Sequence, residues 1–226
     1  MNVSSVAAAV GKPANRASRR SLDLGLALRR AYQATCGLYD RALYSRRHQA
    51  VCRRLSIARP PRQILVVCHG NLCRGPYLQA VLQRSLPDVA VTSAGFVGSD
   101  RAVPRISVAL SAQRGLDLSR YRSRPLTQSK ISDADLVIVM DAEQARRIAT
   151  MFRVQRERIV IAGDLEPMFE TSRAITDPWN GSVETFKSSF DRLDRCAATL
   201  ARVLRARKNL QPNARPPVRM TPRPPR

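Results

Sequence analysis

The chain has 226 residues, and its 39 lysine and arginine residues outnumber its 17 aspartate and glutamate residues, giving a net charge of +22. Residues 1–61 carry 12 basic and 2 acidic side chains, and residues 206–226 carry 6 and none. This balance favours anionic partners, which include nucleic acid, acidic lipid, and acidic protein or polysaccharide surfaces. Basic tails that only keep the chain soluble are the alternative, which we slightly prefer. The arginines lack interleaved aromatic residues and match no nucleic-acid-binding motif, which argues against a dedicated nucleic-acid-binding protein.

The N-terminal quarter of the chain has two parts. Residues 1–20 are small, polar and basic, lack a run apolar enough for a membrane span or a secretory signal, and are predicted to be a disordered tail. Residues 21–59 have the pattern of a basic amphipathic helix, with Ser21 as its cap and Pro60-Pro61 as its stop. Its small and apolar face comprises Leu24, Leu28, Ala31, Thr35, Leu38 and Ala42. We expect this helix to dock on the following domain, with self-association or binding to an acidic membrane as alternatives.

Residues 62–206 alternate strand and helix patterns, which predicts one α/β domain. The strands are predicted at 63–68, 89–94, 135–140 and 158–162, and the helices at 76–86, 104–114, 142–152 and 183–206. This alternation indicates a four-stranded, parallel, doubly wound sheet with helices on both faces. The last helix has Ser182 as its cap and a buried stripe of Phe186, Phe190, Leu193, Ala197, Leu200 and Leu204. Residues 207–226, rich in proline and arginine, are predicted to be a disordered tail.

The segment Cys68–Arg74 carries the clearest chemical signal, because it follows the apolar run 64–67 and precedes Pro76, which is expected to open a helix. A loop between a buried strand and a helix N-terminus directs several backbone N–H groups at one point, where they bind an anion. Arg74 can hold two phosphate oxygens through its planar guanidinium. The same positive field is expected to lower the pKa of the Cys68 thiol and produce a nucleophilic thiolate. An inert core cysteine is the alternative, which the agreement of strand, turn, arginine and proline disfavours.

This loop resembles that of the low molecular weight protein tyrosine phosphatases, which has the form Cys-X5-Arg with Gly-Asn inside. The later stretches that support the resemblance are 92–95, 118–124, 139–141 and 177–179. The resemblance covers about residues 62–205 and implies a strand order of 2-1-3-4, with the Cys68 loop at the point where the order reverses. It also implies a phosphotyrosine-containing protein as substrate. We expect no cofactor and no metal.

The resemblance implies a role for individual side chains. Cys68 would attack phosphorus to form a phosphocysteine, Arg74 and the loop amides would hold the phosphoryl oxygens, and Asp177 would protonate the leaving group. The remaining substrate-binding residues would be His69, Gly70, Asn71, Leu72, Cys73, Gly75 and Trp179. Trp179 would form an aromatic wall beside a phenyl ring, and simple packing is the equal alternative.

Two positions depart from the family pattern. Family members usually carry serine or threonine after the arginine, where the hydroxyl hydrogen-bonds the thiolate, and this chain has Gly75. A hydrogen bond to a charged group contributes about 1.5–3 kcal/mol, so we expect a rate lowered by about one to two orders of magnitude. Tyr121 stands where a histidine often braces the loop asparagine, here Asn71, so that second support is also expected to be altered.

The cysteines bear on the compartment and on the competing functions. Five cysteines without an export signal lead us to expect a reducing, cytoplasmic compartment, and neither their spacing nor the two histidines indicate a zinc site. Cys73 either forms a reversible disulfide with Cys68 or simply packs. A thiol-dependent arsenate reductase is disfavoured because only Cys196 follows Cys73 to relay electrons. The other competitor is a phosphate-binding module that no longer turns over.

Overall fold

The computed structural model describes residues 41–170 and 172–210. The elements in these ranges are α1 (residues 41–57), β1 (Gln63–Cys68), α2 (Arg74–Ser85), β2 (Ala90–Gly95), α3 (Arg105–Ala112), α4 (Gln128–Asp133), β3 (Leu136–Val139), α5 (Ala142–Met151), β4 (Ile159–Ile161) and α6 (Val183–Leu210), with 3-10 helices at Arg156–Arg158 and Ala162–Leu165. The predicted tail 1–20, the predicted helical residues 21–40 and residues 211–226 of the C-terminal tail lie outside the described residues.

The four strands form one parallel sheet in the order β2-β1-β3-β4, which confirms the predicted fold and strand order. β1 lies between β2 and β3, so the chain crosses to opposite sides of β1 and creates a switch point at its carboxyl end. Cys68 is the last residue of β1, and it therefore lies where doubly wound sheets bind their ligands.

Side chains of β1 alternate between two buried layers. Ile64 and Val66 face the layer that includes α2, α3 and α6, whereas Leu65 and Val67 face the layer that includes α4 and α5. All four are at most 1% exposed. Burial on both faces explains why the strand reads as a continuous apolar run rather than as an alternating one.

Helix α2 begins at Arg74, two residues before the predicted start at Pro76. Tyr77 makes the first hydrogen bond of the helix ladder, from its N–H to the carbonyl of Cys73. Pro76 thus lies in the first turn, where backbone N–H groups have no partner within the helix, and its missing N–H removes no bond. As a consequence, the phosphate-binding loop runs directly into the helix at Arg74.

Helix α6 packs in the same layer as α2 and α3, and its predicted buried stripe is confirmed. Phe186, Phe190, Leu193, Ala197, Leu200 and Leu204 are all at most 8% exposed. Ser182 caps the helix by accepting a hydrogen bond from the N–H of Thr185. The helix continues to Leu210, four residues beyond the predicted end. Helix α4 was not predicted because six residues with one buried side chain, Ile131, give too short a periodic pattern.

Helix α1 packs against the sheet domain through a face different from the predicted one. Ala42, expected on the apolar face, is exposed, whereas Val51 and Leu55 belong to the main core. Tyr44 and Arg54 hydrogen-bond the backbone carbonyls of Glu166 and Ile159. The described part of the helix is therefore docked on the domain. No helix in the described ranges is long and apolar enough to span a membrane.

Candidate active site

The sulfur of Cys68 is surrounded by backbone donors of the loop that follows β1. The residue is 2% exposed, and the N–H groups of Gly75 and Asn71 hydrogen-bond its sulfur. Asn71 has a φ of 53°, in the left-handed region that asparagine tolerates better than most residues. This conformation turns the loop back on itself, so its amides converge on the sulfur.

The structure does not show the lowered pKa that the sequence predicted for Cys68. Burial raises the pKa of this thiol, and the charge of Arg74 and the N–H groups of Gly75 and Asn71 oppose that rise. The carboxylate of Asp177 adds to the rise. The prediction was wrong because it considered only the positive neighbours of the sulfur and omitted the cost of desolvating a thiolate at the end of a buried strand.

The guanidinium of Arg74 is fixed by hydrogen bonds from both of its Nη groups. It is 4% exposed, its Nη1 donates to the carbonyl of Ile175 at 2.8 Å, and its Nη2 donates to Oδ2 of Asp177. Its Nε is buried and has no hydrogen-bond partner among the described residues. A buried donor without a partner costs about 1–3 kcal/mol, so this N–H is a strong donor for an incoming oxyanion.

These groups border a cavity of about 230 Å³. Its lining residues are Cys68, His69, Gly70, Leu72, Cys73, Arg74, Val97, Arg101, Asp177 and Trp179. Two residues predicted to bind substrate, Asn71 and Gly75, do not line the cavity, and their backbone N–H groups hydrogen-bond the Cys68 sulfur instead. Val97 and Arg101 were missed, because they lie in a loop after β2 with no motif of its own.

The side chain of Asn71 supports the Cys68 loop through hydrogen bonds to residues outside the loop. It is fully buried, donates to Oγ of Ser93 at 3.0 Å, and accepts from the hydroxyl of Tyr121 at 2.7 Å and from the N–H of Arg124 at 2.8 Å. The hydroxyl of Tyr121 is also 2.7 Å from Oγ of Ser93. The support expected to be altered at Tyr121 is thus made by a phenol, whose hydroxyl reaches both Asn71 and Ser93.

Gly95 permits the loop to lie directly against the end of β2. A Cβ at this position would lie 2.8 Å from the backbone nitrogen of Asn71 and 2.9 Å from the carbonyl oxygen of His69. Any side chain would therefore push the loop away from the sheet. This explains in physical terms why a glycine ends the second strand.

The segment that carries Asp177 and Trp179 is more open. The Asp177 side chain is 43% exposed, and Trp179 is 44% exposed. Oδ1 of Asp177 accepts a hydrogen bond from the N–H of Trp179 at 3.2 Å, and the guanidinium of Arg101 lies 5.2 Å from the centre of the indole ring. Trp179 thus forms part of the cavity rim and does not belong to the core.

The cysteines described by the structure are all free thiols, and Cys36 lies outside the described residues. Cys73 lines the cavity, and burial raises its pKa to about 12. Cys196 is buried in α6, and burial also raises its pKa. Within residues 41–170 and 172–210, no group of three histidine, cysteine or acidic side chains could hold a metal ion.

Comparison with known proteins links this geometry to a family. The model of the low molecular weight phosphotyrosine protein phosphatases matches residues 63–211. A curated relative, the probable low molecular weight protein-tyrosine-phosphatase EpsP of Ralstonia nicotianae, is 36% identical over 136 residues, which cover 59% of this chain and 90% of that protein.

Solved structures of two enzymes match the fold. Wzb of Vibrio vulnificus, in complex with benzylphosphonate, has a TM-score of 0.57 and 26% identity over 62% of this chain and 97% of that chain. The YwlE arginine phosphatase of Geobacillus stearothermophilus has a TM-score of 0.60 and 25% identity over 66% and 96%.

The match to the family model covers the whole sheet, the Cys68 loop and the Asp177 segment. The predicted family and the predicted enzyme class, a phosphoric monoester hydrolase, are both confirmed. This chain belongs to the low molecular weight phosphotyrosine protein phosphatase family.

Proposed function

We propose that this phosphatase hydrolyses phosphotyrosine in proteins through a phosphocysteine at Cys68. The observation that carries the proposal is the convergence, in one cavity, of the Cys68 sulfur and the Arg74 guanidinium, with Asp177 at the rim. A nucleophile, an oxyanion-binding group and a proton donor are the three parts that displacement at a phosphate monoester requires.

The reaction proceeds in two displacements. The Cys68 thiolate forms a sulfur–phosphorus bond while the ester oxygen–phosphorus bond breaks, and the departing oxygen takes a proton from the Asp177 carboxyl. Arg74 and the loop amides hold the three other phosphoryl oxygens. Water then attacks the phosphocysteine, Asp177 accepts its proton, and the sulfur leaves as thiolate, so that tyrosine and inorganic phosphate are the products.

Substrate binding has to rearrange the contact between Arg74 and Asp177. Nη2 of Arg74 donates to the Asp177 carboxylate, and a phosphate oxygen would compete for the same N–H. Two negatively charged acceptors for one donor repel each other, so phosphate binding breaks the contact between the Asp177 carboxylate and Arg74. The exposure of Asp177 gives it room to move.

The substrate class rests on the rim of the cavity. Trp179 presents an exposed indole beside the phosphate-binding floor, which suits the phenyl ring of phosphotyrosine. The test compares one peptide sequence carrying phosphotyrosine, phosphoserine or phosphoarginine, with arsenate reduction assayed alongside. We expect hydrolysis of the phosphotyrosine peptide at the highest kcat/KM, lost in Cys68→Ser. Preference for another substrate would replace the proposal, and binding without hydrolysis would identify a phosphate-binding module.

We further propose that Gly75 slows turnover. A Cβ at this position would lie 3.1 Å from the Cys68 sulfur and 3.0 Å from Nδ2 of Asn71, close enough for a serine hydroxyl to reach the sulfur after a small adjustment. Gly75→Ser is expected to raise kcat by about one to two orders of magnitude, because a hydrogen bond to the departing thiolate contributes about 1.5–3 kcal/mol. Gly75→Ala is the matched control, since it adds the same Cβ without the hydroxyl. Equal rates in both variants would contradict the proposal.

A cytoplasmic location stays a prediction, which the need for a reduced Cys68 supports. Self-association and membrane binding by residues 21–59 also stay predictions, because the structure describes this segment only from residue 41.

A further inference from the structure

A second cavity, of about 510 Å³, lies between α1, α5 and β4. We call it the α1–α5 groove. It shares no lining residue with the catalytic cavity, and its volume falls within the roughly 300–1,000 Å³ that is typical of ligand-binding pockets. The catalytic mechanism gives it no role.

Five arginines contribute to the lining of this groove: Arg47, Arg54, Arg146, Arg156 and Arg173. Among the described residues that line the groove, Asp164 is the acidic one. Asp164 pairs with Arg173 at 2.6 Å, Glu143 pairs with Arg146 at 2.6 Å, and both Glu157 and Asp164 act on Arg54 at longer range. The groove therefore has an excess of positive charge.

Arg54 is the most constrained of these side chains. Its Nη2 donates to the carbonyl of Ile159 at 3.0 Å, which fixes the guanidinium beside β4. Its Nε is buried and has no hydrogen-bond partner among the described residues. Burial lowers the pKa of Arg54, as expected for a cation held away from water. A fixed donor of this kind suits a carboxylate better than a freely solvated arginine does.

The rest of the groove lining is apolar. It includes Ala142, Ala145 and Ala149 of α5, with Ile159 and Ile161 of β4. Small side chains along one helix leave space for the side chains of a ligand. None of the described lining residues is aromatic, so the groove offers no surface on which nucleic acid bases could stack. Its recessed, apolar lining between two helices also does not suit a flat lipid surface.

The segments of this chain outside the described residues do not complement the groove. Residues 1–40 carry 6 basic and 2 acidic side chains, and residues 211–226 carry 4 basic and none acidic. A basic segment would be repelled by the arginines, so charge complementarity indicates a ligand from another molecule.

We propose that the α1–α5 groove binds an acidic peptide segment of another protein, with carboxylates on the arginines and apolar side chains against α5 and β4. This inference does not depend on the phosphatase reaction, because the two cavities are separate. An acidic protein partner is one of the alternatives that the net charge left open.

The test uses the full chain and two fluorescein-labelled peptides, Glu-Leu-Glu-Ala-Glu-Leu-Glu and the same sequence with glutamine for glutamate, followed by fluorescence anisotropy. Arg47→Gln/Arg54→Gln removes two groove arginines. The matched control, Arg46→Gln/Arg53→Gln, makes the same charge change one position earlier on α1, at exposed residues that do not line the groove.

We expect the acidic peptide to bind and the glutamine peptide not to bind. Loss of two charge-assisted contacts should weaken binding about tenfold or more in the groove variant, and less than about twofold in the control. Hydrolysis of p-nitrophenyl phosphate should be unchanged in both. If Arg54→Gln prevents folding, Arg47→Gln against Arg46→Gln makes the same comparison.

Equal weakening in both variants would show diffuse charge attraction and overturn the proposal, as would failure of the parent chain to bind the acidic peptide. Competition by a duplex oligonucleotide and by phosphatidylglycerol vesicles identifies the partner class. Tighter, groove-dependent binding of either one would replace the peptide by that ligand.

Discussion

The two sides of the catalytic cavity differ in how firmly they are held. On the loop side, Cys68 and Asn71 are at most 2% exposed, and Ser93 and Tyr121 hydrogen-bond the Asn71 side chain. On the opposite side, Asp177 has an exposure of 43% and depends on the Arg74 guanidinium and one backbone N–H. The phosphate-binding side is thus preorganised, whereas the proton-donating side is free to move.

This difference separates two tasks of the reaction. Oxyanion stabilisation requires donors that are in place before charge develops, and burial of the loop supplies that order. Proton transfer to a leaving group requires a carboxyl that can approach substrates bound in the cavity, and exposure supplies that freedom. Variants on the two sides should therefore affect different steps.

Removal of the nucleophile should produce the largest effect. Cys68→Ser is expected to lower kcat by at least about 10⁴-fold, because a serine hydroxyl stays protonated near neutral pH and is a much weaker nucleophile than a cysteine thiolate. Phosphate binding, measured by isothermal titration calorimetry, should persist, since Arg74 and the loop amides remain. A variant that keeps substantial hydrolysis would show that the loop acts through another group.

Asp177→Asn should lower kcat by about 10²–10⁴-fold, the range for loss of a general acid. The loss should be largest for alkyl phosphates, whose leaving groups need the proton, and smaller for p-nitrophenyl phosphate. Steady-state kinetics with both substrates measure the difference. Equal losses for the two leaving groups would contradict the acid role of Asp177.

Tyr121→Phe removes the hydroxyl that supports Asn71 and should reduce kcat by about tenfold, because a lost hydrogen bond in a buried network costs about 1–3 kcal/mol. Tyr44→Phe is the matched control, since it removes a phenol that hydrogen-bonds the carbonyl of Glu166, away from the loop. The control should lower the thermal unfolding midpoint without changing kcat. A similar kcat in both variants would remove Tyr121 from the catalytic support.

The smallest effect concerns the ionisation of Cys68. Asp177 contributes to the raised pKa of this thiol, so Asp177→Asn should lower that pKa. Thiolate then forms at lower pH, and the midpoint of iodoacetate alkylation should move in the acid direction. Cys73, with a pKa of about 12, stays largely protonated in the neutral range. Cys68→Ser provides the background rate, and a midpoint that moves in the alkaline direction would contradict the assigned sign.

The sequence predicted the elements whose causes are local. The apolar run before Cys68 predicts a buried strand, and the apolar stripe from Phe186 to Leu204 predicts α6. Each of these patterns lies within one continuous stretch of the sequence. Helix α1 shows the limit. The buried residues Val51 and Leu55 were not predicted, because arginines are frequent around them in the sequence. The same helix also contacts the strand that contains Ile159, which lies more than a hundred residues later in the chain.

The catalytic site also combines a part that the local sequence predicts with contacts that it does not predict. The loop from Cys68 to Arg74 is contiguous and could be predicted from its motif. The hydrogen bond between Arg74 and Asp177 joins residues 103 positions apart, and the one between Asn71 and Tyr121 spans 50. The direction of the Cys68 pKa shift depends on total burial, a property of the folded domain that no local spacing contains.

The most direct test of the account is mass spectrometry of the chain after rapid acid quenching during turnover of a phosphotyrosine peptide. We expect a phosphoryl group on the proteolytic fragment that contains Cys68, bound to sulfur, and absent from that fragment in an Arg74→Met variant. Rapid turnover with no phosphorylated cysteine at any quench time, or a phosphoryl group on a different residue, would contradict the assignment of Cys68 as the nucleophile.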